Sequence, residues 1–255
     1  MRVAVWQCVA LPLDVAGNLR RLEEACGRAR EAGADVLVTP EMLTTGYAIG
    51  PAEARRLAEP PEGPTAAAVA TIARDHGLAI CYGHPELADD GAVYNAATLV
   101  GRDGEVVGRH RKMHLFGDLD RDQFAAAPSR SGAVDLGGTP VGLLICYDLE
   151  FPEAARALAV DGARVLLVPT ANMVGYEAVP TVLARARAYE NGCFVVYANY
   201  VGAEADLVYG GLSVVCAPDG EVIGLGSPDE EELLVVDLAG APGGTFLEDR
   251  RTDLF

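Results

Sequence analysis

Gly33-Ala34-Asp35-Val36-Leu37-Val38-Thr39-Pro40 and Gly162-Ala163-Arg164-Val165-Leu166-Leu167-Val168-Pro169 follow one plan: a helix-stopping glycine, an alanine, a short apolar strand and a closing proline. Upstream of the first copy, residues 18–30 place Leu19, Leu22, Ala25, Cys26 and Ala29 at helical spacing, and residues 3–8 are an apolar run suited to a buried strand. The chain therefore opens as strand, helix, strand. Its repetition predicts two similar halves meeting face to face.

Further elements extend the pattern. Helices are expected at about 65–76, from near Pro152, and at 180–191, and strands at 35–39, 78–82, 141–146, 165–168 and 194–198. Gly101-Arg102-Asp103-Gly104 is a turn between β-rich runs 94–100 and 105–111, and Pro218-Asp219-Gly220 turns between 212–216 and 222–225, so the sheets are mixed. A short strand near Val134 and a last one at about 232–237 complete the set, while 117–132 and the segment after Glu41 read as loops. Strands covered by helices on one side and by another sheet on the other explain apolar runs without long polar alternation. The predicted fold is α/β, a four-layer α-β-β-α sandwich with mixed sheets, as one domain over residues 1–255. Residues 239–255, rich in Gly and charge, are expected to cross the surface or meet another subunit.

Composition narrows the function. Half of the 255 residues are hydrophobic, ample for a core, and 20 Lys+Arg against 37 Asp+Glu give a net charge of −17. Such a field does not attract a phosphate backbone, so no nucleic-acid partner is expected. The N-terminal apolar run is too short for a signal peptide, and no stretch approaches the ~20 apolar residues of a membrane span. Six cysteines (8, 26, 81, 146, 193 and 216) lie far apart without a CxxC pair, which predicts reduced thiols in a cytoplasmic protein.

Three residues could carry chemistry. Cys146 closes an apolar strand and precedes a helix, where backbone N–H groups and a nearby cation would favour thiolate; a cysteine there reads equally as a small core hydrophobe. Glu41 leaves the end of its apolar strand, where desolvation would raise its pKa toward that of a general base; by itself it also reads as a solvated loop carboxylate. Lys112 lies in the basic cluster Arg109-His110-Arg111-Lys112, otherwise a solvated face. Base, cation and thiol each stand at a predicted strand end, so they can converge.

Pro40-Glu41-Met42, Arg111-Lys112-Met113-His114-Leu115-Phe116 and Ile145-Cys146-Tyr147-Asp148-Leu149-Glu150-Phe151-Pro152-Glu153 resemble, in order and spacing, the three signature blocks of the nitrilase (carbon-nitrogen hydrolase) superfamily. Pro169-Thr170-Ala171-Asn172-Met173, Arg185-Ala186-Arg187-Ala188-Tyr189-Glu190-Asn191 and Tyr197-Ala198-Asn199-Tyr200 extend the likeness along nearly the whole chain. The resemblance implies the same sandwich, a Glu41-Lys112-Cys146 amidase site, a small-molecule amide substrate, no metal, no cofactor and pairing into homodimers. Lys112 and the Tyr147 backbone N–H are then expected at the oxyanion, and Asn172 near the substrate.

Two departures bear on specificity. The superfamily's second glutamate after the lysine block is absent; Asp120 best occupies the slot, with Asp118 the alternative. Glu150 stands where many relatives carry arginine, and would either bind an amino group on the substrate or cap the helix at Pro152. These phrases look most like the 5-aminovaleramide amidase and stereoselective-amidase branch. N-carbamoyl amine hydrolase, ω-amidase and nitrilase chemistry share the same three blocks. His114 is expected to support Lys112, whereas His76 and His84 show no ligand spacing, and Gly210-Gly211 and Gly243-Gly244 lack the setting of a dinucleotide loop.

Overall fold

The computed structural model describes residues 1–239 and 245–254. In chain order the first half contains β1 (Arg2–Val9), α1 (Val15–Glu31), β2 (Val36–Val38), α2 (Pro51–Leu57), α3 (Pro64–His76), β3 (Ala79–Leu87), β4 (Val93–Val100), β5 (Val106–Arg111) and α4 (Gly117–Gln123). The second half contains β6 (Val134–Leu136), β7 (Thr139–Leu143), α5 (Pro152–Val160), β8 (Val165–Pro169), α6 (Ala184–Asn191) and β9 (Phe194–Ala198). It continues with β10 (Tyr200–Glu204), β11 (Leu207–Gly210), β12 (Val214–Cys216), β13 (Val222–Leu225) and β14 (Glu232–Asp237).

Among the described residues, one sheet runs β11-β10-β1-β2-β3-β4-β5 with β14 also on β1, and the other runs β13-β12-β9-β8-β7-β6. The β1-β2-β3 and β7-β8-β9 cores are parallel and the edges antiparallel. Strand alternation sorts side chains into three apolar layers. Val3, Val5, Val36 and Val38 of the first sheet meet Val165, Leu167, Val196 and Val215 of the second between the sheets. Ala4, Trp6 and Leu37 turn outward to Leu22, Ala25, Cys26 and Ile72 on α1 and α3. Leu166, Val168 and Val195 turn outward to Ala155, Leu158 and Ala188 on α5 and α6. Three apolar layers separate four structural ones, so the α-β-β-α sandwich stands.

The repeated plan recurs bond for bond. Gly33 and Gly162 take φ of 77° and 99°, and the alanines after them donate back to Ala29 and Leu158 carbonyls at 3.0 Å each. These are left-handed helix stops, which a glycine enters without Cβ strain. Both copies deliver a parallel strand whose C-terminal end faces the same side. There the Glu41 N–H donates to the Thr170 carbonyl at 3.2 Å, joining the two halves.

Four local expectations need correction. The strand expected to reach Cys146 ends at Leu143, because Asp148 folds back on Ile145 and turns Cys146–Glu150 into a 3-10 helix. The loop expected at 117–132 contains α4, stabilised where Asp120 accepts from the Phe116 N–H at 2.8 Å. The segment after Glu41 contains α2, begun by Pro51 in a first-turn position. The helix expected from 180 opens as a wide turn over Val179–Leu183 before α6. The hairpin β10-β11 had no assigned strand, its pattern broken by the buried Glu204. Of the tail, residues 240–244 and 255 lie outside the described residues, and Phe246 packs 5.0 Å from the Tyr189 ring. All six cysteines are free thiols, and Cys146 alone retains solvent access.

Leu167 is fully buried between the sheets. Leu167→Ala is expected to lower unfolding free energy by about 2–5 kcal/mol, measured by urea denaturation with an unchanged slope.

Candidate active site

A lysine sealed from water anchors the site. Lys112 directly follows β5, and its N–H donates to the Asn95 carbonyl at 2.8 Å. Its Nζ lies 2.7 Å from Glu41 Oε1 and 2.7 Å from Asp120 Oδ2, all three side chains being fully buried. Asn95 Nδ2 donates to the same Glu41 oxygen at 2.6 Å, and the Tyr47 ring lies 5.5 Å from the ammonium. Glu41 Oε2 and Asp120 Oδ1 are buried without a protein partner. Asp118 is 93% exposed and pairs with Arg121, so the structure brings Asp120 and not Asp118 to the lysine.

The electrostatics follow from two carboxylates facing one ammonium in an apolar interior. Burial raises the Glu41 carboxyl above its usual range, with Asp120 adding to the effect and Lys112 opposing it. Burial works against the Lys112 ammonium, yet Glu41, Tyr47 and Asp120 hold it charged well above the ordinary lysine value. Burial and then Glu41 push the Cys146 thiol well up, against the pull of Lys112 and the Ala171 N–H. Both shifts favour the protonated forms, thiol over thiolate at Cys146 and a more basic carboxylate at Glu41.

Local backbone puts these groups in place. Met42 and Cys146 adopt φ of 53° and 46°, conformations that cost a non-glycine residue about 1–3 kcal/mol and that persist where surroundings over-determine them. Gly83 on β3 is part of that surrounding: a Cβ there would stand 2.3 Å from the Met42 nitrogen and 2.8 Å from the Glu41 carbonyl carbon. The thiol turn is held from both ends. Asp148, fully buried, accepts from Ile145 N, Met113 N, His114 N and the His110 and His114 rings. Although burial acts to raise it, the bonds from His110 and His114 keep this carboxyl far below its usual range. Arg187 on α6 donates to the Leu149 and Glu150 carbonyls at 2.9 and 2.7 Å.

Other expected residues are placed as follows. The first bond of the turn is Asp148 N–H to the Ile145 carbonyl, so the Tyr147 N–H precedes the bonded ones, and its ring meets Phe116 and Phe151 edge-on. Glu150 is half-buried; burial raises its carboxyl while Lys112 and Arg187 oppose, and α5 begins without any side-chain cap. Asn172 donates from its amide to the Tyr176 carbonyl at 3.1 Å and so braces the loop after β8. His114 stacks on Phe151 at 3.8 Å and bonds Asp148 instead of touching Lys112. Sequence reasoning missed Asn95, Gly83, His110, Tyr47 and the role of Asp148. Asn95 had a signal, as an amide inside the apolar run of β4; the others had none. Among the described residues no cluster has metal-ligand composition. A crevice of about 510 Å³ lined by Arg30, Asp35, Arg102 and Asp135 opens at the opposite ends of the strands and includes none of these groups.

Fold and site define a class: an α-β-β-α sandwich with a buried acid–lysine–acid cluster coupled to a thiol. The carbon-nitrogen hydrolase family profile matches residues 2–241. The chain is 47% identical to a protein described as hydrolase in pqqF 5'region of Pseudomonas protegens, over 100% of this chain and 90% of that protein. It is 36% identical to an (R)-stereoselective amidase of a Pseudomonas species, over 98% and 92%. The crystal structure of an amidase from a Nesterenkonia species superposes with a TM-score of 0.91 at 37% identity, over 100% of this chain and 94% of that one. Variants of that amidase have been solved with butyramide bound and with acrylamide added to the active-site cysteine. The chain belongs to the carbon-nitrogen hydrolase family, in the amidase branch of the nitrilase superfamily, and is an amide-hydrolysing enzyme.

Gly83→Ala is expected to keep the far-UV circular dichroism of the parent while lowering kcat at least tenfold and stability by about 1–3 kcal/mol, since backbone and not a flexible side chain must give way. Steady-state kinetics and thermal unfolding check it.

Proposed function

We propose that the protein hydrolyses a small aliphatic amide, with an amino amide such as 5-aminovaleramide as the preferred kind, through a thioester on Cys146. The observation that carries this reading is Lys112 Nζ held at 2.7 Å from both Glu41 and Asp120 while coupled to the one thiol that retains solvent access.

Glu41 takes the thiol proton as sulfur attacks the amide carbonyl carbon, and the carbonyl oxygen becomes an oxyanion facing Lys112 and the Tyr147 N–H. The open Glu41 Oε2 supports its role as proton acceptor. The C–N bond then breaks, the proton on Glu41 goes to the departing nitrogen, and ammonia leaves. Water next attacks the thioester, giving its proton to Glu41; the C–S bond breaks, the acid departs and sulfur regains the proton. Asp120 would hold the Lys112 ammonium in line throughout.

Glu150 supports the amino-amide preference. Its half-buried carboxylate makes no hydrogen bond among the described residues, so it is available to accept from a substrate ammonium.

A panel of 5-aminovaleramide, butyramide, carbamoylputrescine, α-ketoglutaramate and a nitrile, with ammonia as readout, tests both levels. Cys146→Ala should abolish turnover, and Glu150→Gln should raise KM for 5-aminovaleramide about tenfold while leaving butyramide unchanged. Full activity in the alanine variant would refute the thiol mechanism, and an equal Glu150→Gln effect on both amides would refute the amine contact.

The pH profile has a defined sign. Glu41 must be ionised to accept the proton, so kcat/KM should rise with pH through a limb above the ordinary glutamate value of 4.5. Lys112 stays charged beyond 10.5 and imposes no falling limb below it. A limb at or under 4.5 in initial-rate measurements would remove Glu41 as the base.

A further inference from the structure

One carboxylate is bonded on both sides of Lys112 and to the residue before Cys146. Around Lys112, Asp148 accepts from His110 Nε2 at 2.8 Å, two residues before the lysine, and from Met113 N at 3.2 Å and His114 N at 2.9 Å just after it. Around Cys146, it accepts from Ile145 N at 3.3 Å while its own N–H donates to the Ile145 carbonyl at 2.9 Å. The lysine segment continues β5 of the first sheet and the thiol turn follows β7 of the second. Asp148 therefore crosses from the loop of one sheet to that of the other.

We propose that Asp148, with His110 as its buried ring donor, is a positioning residue that holds Lys112 and Cys146 at their working separation. This rests on the reading of Cys146 as nucleophile and Lys112 as oxyanion donor. An ionised carboxylate only accepts, so the His110 ring presents Nε2–H to it, and Ser131 Oγ at 2.9 Å from Nδ1 sets the ring from behind. Arg187 fixes the far end of the turn through the Leu149 and Glu150 carbonyls, leaving Asp148 to set the near end. His114 Nδ1, at 2.8 Å, completes the same oxygen that the lysine-loop backbone uses. Neither Asp148 nor His110 touches the reacting atoms; they act through the two backbones.

His110→Leu removes the donor and His110→Gln keeps an N–H near the Nε2 position. In His110→Leu, kcat toward the faster of butyramide and 5-aminovaleramide should fall roughly ten- to a hundredfold, with KM within about twofold, the size expected of a small misplacement in a positioned site. His110→Gln should recover most of that loss. The rate of Cys146 alkylation by iodoacetamide, followed by mass spectrometry, should change in His110→Leu and return in His110→Gln; the other five thiols are buried. Circular dichroism and thermal unfolding establish the folded fraction of each variant. Parental kcat in folded His110→Leu, a loss equal to the unfolded fraction, or His110→Gln no better than His110→Leu would each overturn the proposal. Cys146→Ala separates the two levels: inactive with His110→Leu unimpaired sinks the positioning role alone, whereas an active Cys146→Ala sinks the mechanism beneath it.

Discussion

An ammonium without water is tolerable only among opposite charges, and the Lys112 side chain is closed off with Glu41 and Asp120 each at 2.7 Å. Two carboxylates around one cation leave an excess of negative charge. Burial raises both the Glu41 carboxyl and the Cys146 thiol against the pull of Lys112, with Asp120 adding to the first and Glu41 to the second. Both shifts favour the protonated forms: the thiol from which the proposed proton transfer starts and to which it returns, and the carboxyl that it makes of Glu41. Removing either carboxylate would leave the buried lysine underbalanced.

The fold exists around that cluster in a specific sense. Strands of both sheets end on one side of the sandwich, so residues that follow β2, β5 and β7 reach a common point although far apart in sequence. The contact of Glu41 N–H with the Thr170 carbonyl ties the ends of the two repeated segments together. Strained backbone at Met42 and Cys146 is then over-determined from several directions: Gly83 gives Glu41 room, Asp148 grips the thiol turn, and Arg187 closes it. Asp120 sits on α4, turned in by its own bond to the Phe116 N–H, and reaches Nζ without the extra methylene.

Much of the architecture was legible in the chain. The Gly-Ala-strand-Pro repeat, the apolar strand runs and the turns at Gly101–Gly104 and Pro218–Gly220 are local properties, and local sterics and burial decide them. The expected Glu41, Lys112 and Cys146 positions rested on strand ends and on the order of three blocks. Their companions were hidden because polar groups in a sealed site are chosen by neighbours from other strands. Nothing around His110 or Asp148 in sequence says that they meet, and nothing in Gly83 says whose backbone it admits. The preference for Asp120 over Asp118 rested on the resemblance, and the structure agrees by burying one beside the lysine and exposing the other.

Periodicity and turn chemistry by themselves pointed to the layers, the mixed sheets and the residues that stand at strand ends, since those depend on intervals of a few residues. Tertiary structure alone decided that Asn95 and Tyr47 join the lysine, that the thiol rides a strained turn instead of a strand, and that Asp148 bolts that turn to the lysine loop. These are contacts between segments tens of residues apart, and their energies depend on distance and exclusion of water, which no local pattern encodes.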